Sequence, residues 1–201
     1  MSLVNLQLPC SARMKCIRFL RLFITLLMLG SHVSVYANEL GSFQRIETET
    51  LDDKEFIFPD DFKGQSLNIV MLAMAVDQEN GEWQGEELKE WYAELADQGV
   101  LTDEVLGYHF SVMKVPWLIK GLVRRGMAKS YADIMPLSQA GTIFSKDLAG
   151  FAEAPGIPLN GQPAIVLVTP DGELLELFQG EATPENLEAV SQAVVAYLQS
   201  E

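Results

Sequence analysis

The stretch GQPAIVLVTPDGELLELFQGEATPE (residues 161–185) places three elements in a row. Residues 164–169 form an apolar run of strand length, Pro170-Asp171-Gly172 is turn material, and residues 174–178 return as a second strand. Asp-Gly between two apolar runs signals a hairpin, because glycine tolerates the positive φ of a tight turn. Thr183-Pro184 then opens a helix. The threonine hydroxyl can accept from a free helical N–H, and the fixed φ of proline suits the first helical position. Leu187, Val190, Val194 and Leu198 follow at helical spacing and form an apolar stripe.

Upstream, LNIVMLAM (residues 67–74) is a continuous apolar run that suits a central strand buried on both faces. The next segment, AVDQENGEWQGEELKEWYAEL (residues 75–95), reads as a polar loop through Gly85 and then a helix over residues 86–97. Leu88, Trp91, Tyr92 and Leu95 recur at helical spacing there, with Glu86 and Glu87 in the first turn. In residues 106–113, Tyr108, Phe110 and Val112 alternate with His109, Ser111 and Met113, which predicts a second strand. Pro116 opens a longer helix to about Ala132. Residues 142–144 read as a short strand and residues 147–153 as a short helix capped by Asp147. Residues 38–55 read as an extended acidic lead-in that can supply an edge strand, and residues 56–201 as one domain.

The order Gly161-Gln162-Pro163-Ala164, strand, hairpin, helix resembles the thioredoxin-like fold. That resemblance implies an α/β fold: a central mixed sheet flanked by helices, a helical insert at about residues 116–135 and a C-terminal β-hairpin plus helix. It also puts Pro163 in the place of the superfamily's cis-proline, so a cis Gln162–Pro163 bond is expected. FIFPDDFKGQSLNIVML (residues 56–72) resembles the start of peroxiredoxin-like and thiol-reductase-like members, in which the following loop and helix N-terminus carry the reactive cysteine. Here that place, with Glu82 and Trp83 in it, has no cysteine. The segments VPWLIKGLVRRGMAK (115–129), DLAGFAEAPGIP (147–158) and VLVTPDGELLELFQGEATPE (166–185) are similar to the assembly-factor family for mitochondrial ATP synthase and its bacterial relatives.

The N-terminus reads as a secretory signal peptide over residues 1–37. Lys15, Arg18 and Arg21 precede the short apolar run LFITLLMLG (22–30), and Val35 and Ala37 stand at positions −3 and −1 of a cleavage site. The expectation is a periplasmic protein cleaved after Ala37, with an uncleaved membrane anchor as the alternative. Met14 serves as well as Met1 for the start. Both cysteines, Cys10 and Cys16, fall in this leader. The remainder combines 10 basic with 28 acidic residues, a net charge of −18. Such a surface argues against nucleic acid as a partner, since phosphate binding needs a dominant basic face. A domain without cysteine has no thiolate nucleophile and no thiolate metal site, so no redox cofactor or other cofactor is expected.

The remaining candidates are few. Asp77, Glu79, Glu82, Glu86 and Glu87 lack the spacing of a calcium loop and read as a solvated acidic segment. His109 has Ser111 on its strand face but no nucleophile elbow around it, and reads as structural. Trp91 and Trp117 read as core residues, Trp83 less so because its surroundings are polar. Lys114, Lys120, Arg124, Arg125 and Lys129 lie in 16 residues without an acid, a basic island on an acidic chain. It reads either as a helix pairing with its own acidic neighbours or as a docking surface for a protein partner of the cell envelope or for an anionic membrane. The functional expectation is a redox-inactive binding or assembly factor; the alternative is an enzyme using carboxylates or a bound metal.

Overall fold

The structure, a computed structural model, describes residues 40–200; the expected leader and both cysteines lie outside them. The element order is β1 (Ile46–Thr50), β2 (Glu55–Phe58), β3 (Leu67–Met74), α1 (Gln78–Asp97), β4 (Val105–Met113), α2 (Lys120–Tyr131), β5 (Ala140–Phe144), α3 (Leu148–Glu153), β6 (Ala164–Val168), β7 (Leu174–Gln179) and α4 (Pro184–Leu198). Short 3-10 turns precede α2 (Trp117–Ile119) and β5 (Leu137–Gln139).

The seven strands form one mixed sheet in the order β2-β1-β5-β4-β3-β6-β7. β3, β4 and β5 run parallel, joined by crossovers through α1 and α2. The outer strands pair antiparallel. This is the thioredoxin-like arrangement implied by the C-terminal hairpin and helix. The acidic lead-in supplies β1, which lies inside the sheet between β2 and β5, so the edge falls to β2.

All eight residues of β3 are buried, as its unbroken apolar run requires. Val70, Leu72 and Met74 face one layer together with Tyr108, Phe110 and Val112 of β4. Phe43, Phe56, Phe58, Phe62 and Phe151 complete that layer, with ring centroids 4.8 to 6.5 Å apart. Leu67, Ile69 and Met71 face the other layer, against Leu88, Trp91 and Leu95 of α1 and Leu187, Val190 and Val194 of α4. Each fully buried large apolar side chain contributes about 1.5–3 kcal/mol relative to exposure. Gly141 in β5 leaves room for the Phe110 ring: a Cβ there would stand 2.4 Å from a ring carbon.

Two local expectations are corrected. The first concerns α1, which starts at Gln78 rather than near Glu86, so most of the supposed loop is helix. Asp77 caps it, its Oδ1 accepting the Asn80 N–H at 2.9 Å. Gln84 holds the new turns in place: its Oε1 accepts the Met74 N–H at 2.8 Å, and its Nε2 donates to Asn80 Oδ1 and to the Gly161 carbonyl. Glu86 and Glu87 therefore sit in the helix interior. The second concerns Pro163. Among the described residues the cis peptide bond is Phe58–Pro59, and Gln162–Pro163 is trans. The chain reverses before β6 through Gly161 at φ 79°, with Asn160 Oδ1 accepting the Gln162 N–H. Pro163 is buried at the head of β6 and its carbonyl accepts from Gly180.

Candidate functional site

Parallel strands β3 and β4 end side by side, the first leading to α1 and the second to the 3-10 turn before α2. A cleft of about 730 Å³ opens between those two helices. Its floor is formed by Ala73, Ser111 and Tyr131; α1 supplies Gly81, Glu82 and Lys89, and α2 supplies Val123, Gly126 and Met127. Val76 and Asp77, at the β3–α1 junction, form one end. The glycines on the helix walls keep the cleft open, and a Cβ at Gly126 would meet nothing within 4 Å.

The polar floor is anchored from below. His109 is buried, with Nε2 3.3 Å from Ser111 Oγ and 3.5 Å from the Tyr131 hydroxyl, while Nδ1 meets no protein partner. Burial, reinforced by the nearby positive charge of Lys89, pushes the imidazole pKa down to about 3, so it is neutral at ordinary pH. Burial and the Glu86 charge push the Tyr131 phenol up. Lys89 Nζ binds Glu86 at 2.7 Å and Ser130 Oγ at 2.6 Å and lies 5.2 Å from the Tyr131 ring centroid. Lys89 thus ties α1 to α2 across the cleft. The neutral histidine and the protonated phenol, with Lys89 and Ser111, form a hydrogen-bonding floor.

The expected site residues are distributed around this cleft. Glu82 lines it and accepts from Gln78 Nε2 at 2.8 Å; Trp83 is half-buried outside it. Trp91 is a core residue and donates to the Gly180 carbonyl at 3.0 Å. Trp117 corrects the core reading, being 78% exposed on the 3-10 turn. The basic island divides. Arg124 turns inward and pairs with Glu49 and Asp53, and Lys120 Nζ lies 4.7 Å from the Phe144 ring centroid. Lys114, Arg125 and Lys129 stay exposed and have no ion pair among the described residues. Sequence reasoning missed Gln84, Lys89 and Tyr131 as the residues that shape the cleft. The i, i+4 pair Asn80/Gln84 was the available signal for a helix already under way.

No family model matches the chain, and no curated protein does. Solved structures do. BsSco, a member of the Sco family of cytochrome c oxidase assembly proteins, superposes with a TM-score of 0.54 at 12% identity, over 81% of this chain and 96% of its own. Yeast Sco1 follows with 0.53 at 11%, over 82% and 97%. Arabidopsis thaliana ScoI with copper bound gives 0.51 at 8%, over 79% and 99%. The chain is a protein of the thioredoxin-like fold, and at these identities the likeness extends to fold alone. The residues here do not suit copper. Residues 40–200 contain no cysteine, their single histidine is buried under Ser111 and Tyr131, and among the described residues no group of three His, Cys, Asp or Glu is gathered to hold a metal ion.

Proposed function

We propose that the protein is an exported, redox-inactive member of the thioredoxin-like fold that acts as a binding or assembly factor in the cell envelope, gripping a partner in the cleft between α1 and α2. One observation carries this reading. The junction where thiol-bearing relatives hold their cysteine is Ala75-Val76-Asp77-Gln78, without sulfur, and it forms the end wall of an open cleft. A thiolate is the nucleophile of both disulfide exchange and peroxide reduction, and the domain has none. The cleft offers apolar walls and a few fixed polar groups, the usual makeup of a binding site. The fold serves assembly in the Sco proteins.

The test has two arms on protein recovered from cells. Insulin-reduction and peroxide assays should show no turnover. A tagged chain should retain an envelope partner that Gly126→Trp, which fills the cleft mouth from an open position, releases. Turnover by metal-free protein, or equal retention by the filled variant, overturns the reading.

A further inference from the structure

Four large apolar side chains are exposed between residues 117 and 122: Trp117 is 78% exposed, Leu118 73%, Leu122 70% and Ile119 41%. The other exposed large apolar residues, Val76, Leu159 and Val195, are scattered along the chain. On α2 the positions divide cleanly. Val123, Arg124, Met127, Ala128 and Tyr131 turn inward, while Leu122, Arg125 and Lys129 share the exposed face at spacings of three and four. Arg125 and Lys129 therefore continue the exposed face that carries Leu122.

The charges within this segment are of one sign. No Asp or Glu occurs between Val105 and Ala132. Among the described residues the Lys and Arg side chains with neither an ion pair nor a ring contact are Lys114, Arg125, Lys129 and Lys146, and the first three belong to this segment. Arg124, fixed to Glu49 and Asp53, anchors the helix to β1 and to the turn after it and holds that face outward. On a chain of net charge −14, an acid-free segment joining exposed tryptophan and leucine to unpaired cations is complementary to anionic headgroups above hydrocarbon. Tryptophan suits that boundary, and lysine and arginine can extend to the phosphates.

We infer that the outward face of residues 114–129 docks on an anionic lipid bilayer, with Trp117, Leu118 and Leu122 entering the headgroup boundary and Lys114, Arg125 and Lys129 meeting lipid phosphates. At 12 residues α2 is too short to cross, and no described helix is long and apolar enough to do so. The segment lies on the membrane. Ile119 and Lys114 also line the cleft, so docking would bring the cleft mouth near the bilayer.

The probe is a vesicle of phosphatidylcholine alone, or of phosphatidylcholine mixed with phosphatidylglycerol, titrated with protein recovered as its host cells process it. Co-sedimentation is read alongside Trp117 emission, isolated by difference from Trp117→Phe. Binding should favour the anionic vesicles by at least about tenfold and weaken with salt. Trp117 emission should shift to the blue. Leu118→Asp/Leu122→Asp and Lys114→Glu/Arg125→Glu/Lys129→Glu change exposed positions and share the wild-type N-terminus. Each should lose at least about tenfold in binding while keeping its circular dichroism. Binding equal to wild type in either folded variant overturns the inference. So does equal binding to both vesicle types, or Trp117 emission that moves only when an envelope protein is added, since the face would then belong to a protein contact.

Discussion

At the scale of single residues, two buried polar side chains decide what the cleft is. His109 has no exposed nitrogen to offer a substrate or a metal, and its neutrality has a measurable consequence. Its pKa falls from 6.5 to about 3 on folding, so the unfolded chain takes up a proton that the folded chain refuses. Stability from this residue is complete above pH 6.5 and is lost as the pH falls from there towards 3. Between those limits the wild type should lose up to about 1.4 kcal/mol per pH unit more than His109→Gln. Denaturant unfolding across pH 7 to 4 checks it, and parallel curves would show that the imidazole charges freely in the fold. Gln84 makes the second case. Replacing it with leucine leaves the Met74 N–H without its partner and removes a donor from Gly161, which should cost about 2–3 kcal/mol in urea unfolding. Neither residue could be read this way from sequence, because each acts through groups distant along the chain: Tyr131 for the histidine, Met74 and Gly161 for the glutamine.

At the scale of elements, the sequence was most legible where one local signal sufficed. The unbroken LNIVMLAM run became β3, the Asp-Gly turn became the β6–β7 hairpin with Gly172 at φ 86°, and Thr183 and Asp147 cap α4 and α3. The start of α1 was hidden because Gly81 and Gly85 lower helix propensity and Gln84, the buried residue there, is polar. Tertiary hydrogen bonds at Met74 and Gly161 override that propensity. Asp77→Ala should therefore fray α1 from its first turn, costing about 0.5–2 kcal/mol and raising amide exchange at Asn80 and Gly81 before that of Trp91 or Leu95. Uniform protection along α1 in the variant would show that the Gln84 contacts alone hold the start. At β5, Gly141→Ala should destabilise by about 1–3 kcal/mol, since the Phe110 ring it would strike is buried among neighbouring rings and has nowhere to move. Thermal unfolding measures that loss. The 3-10 turn before α2 gave no such legible signal: its tryptophan resembles any core tryptophan in sequence, and only the packing shows it outside.

At the scale of the whole molecule, a thioredoxin-like sheet presents a cleft beside the ends of β3 and β4, with basic and apolar side chains exposed on the adjoining helix. Fold and functional role were unequally legible. Hairpin, helix and central strand define the fold locally, whereas the cleft forms between two crossover helices, α1 and α2, that are separate along the chain. The central claim is that this cleft grips a partner. A photo-crosslinking side chain at Val76, at one end of the cleft, or at Val123, on its α2 wall, tests this against one at Val195 on α4 outside it, in cells that express the full chain. The account predicts one shared adduct from Val76 and Val123, absent from Val195 and lost when Gly126→Trp fills the mouth. No adduct from the cleft walls, or the same adducts from all three positions and undiminished by Gly126→Trp, would contradict it.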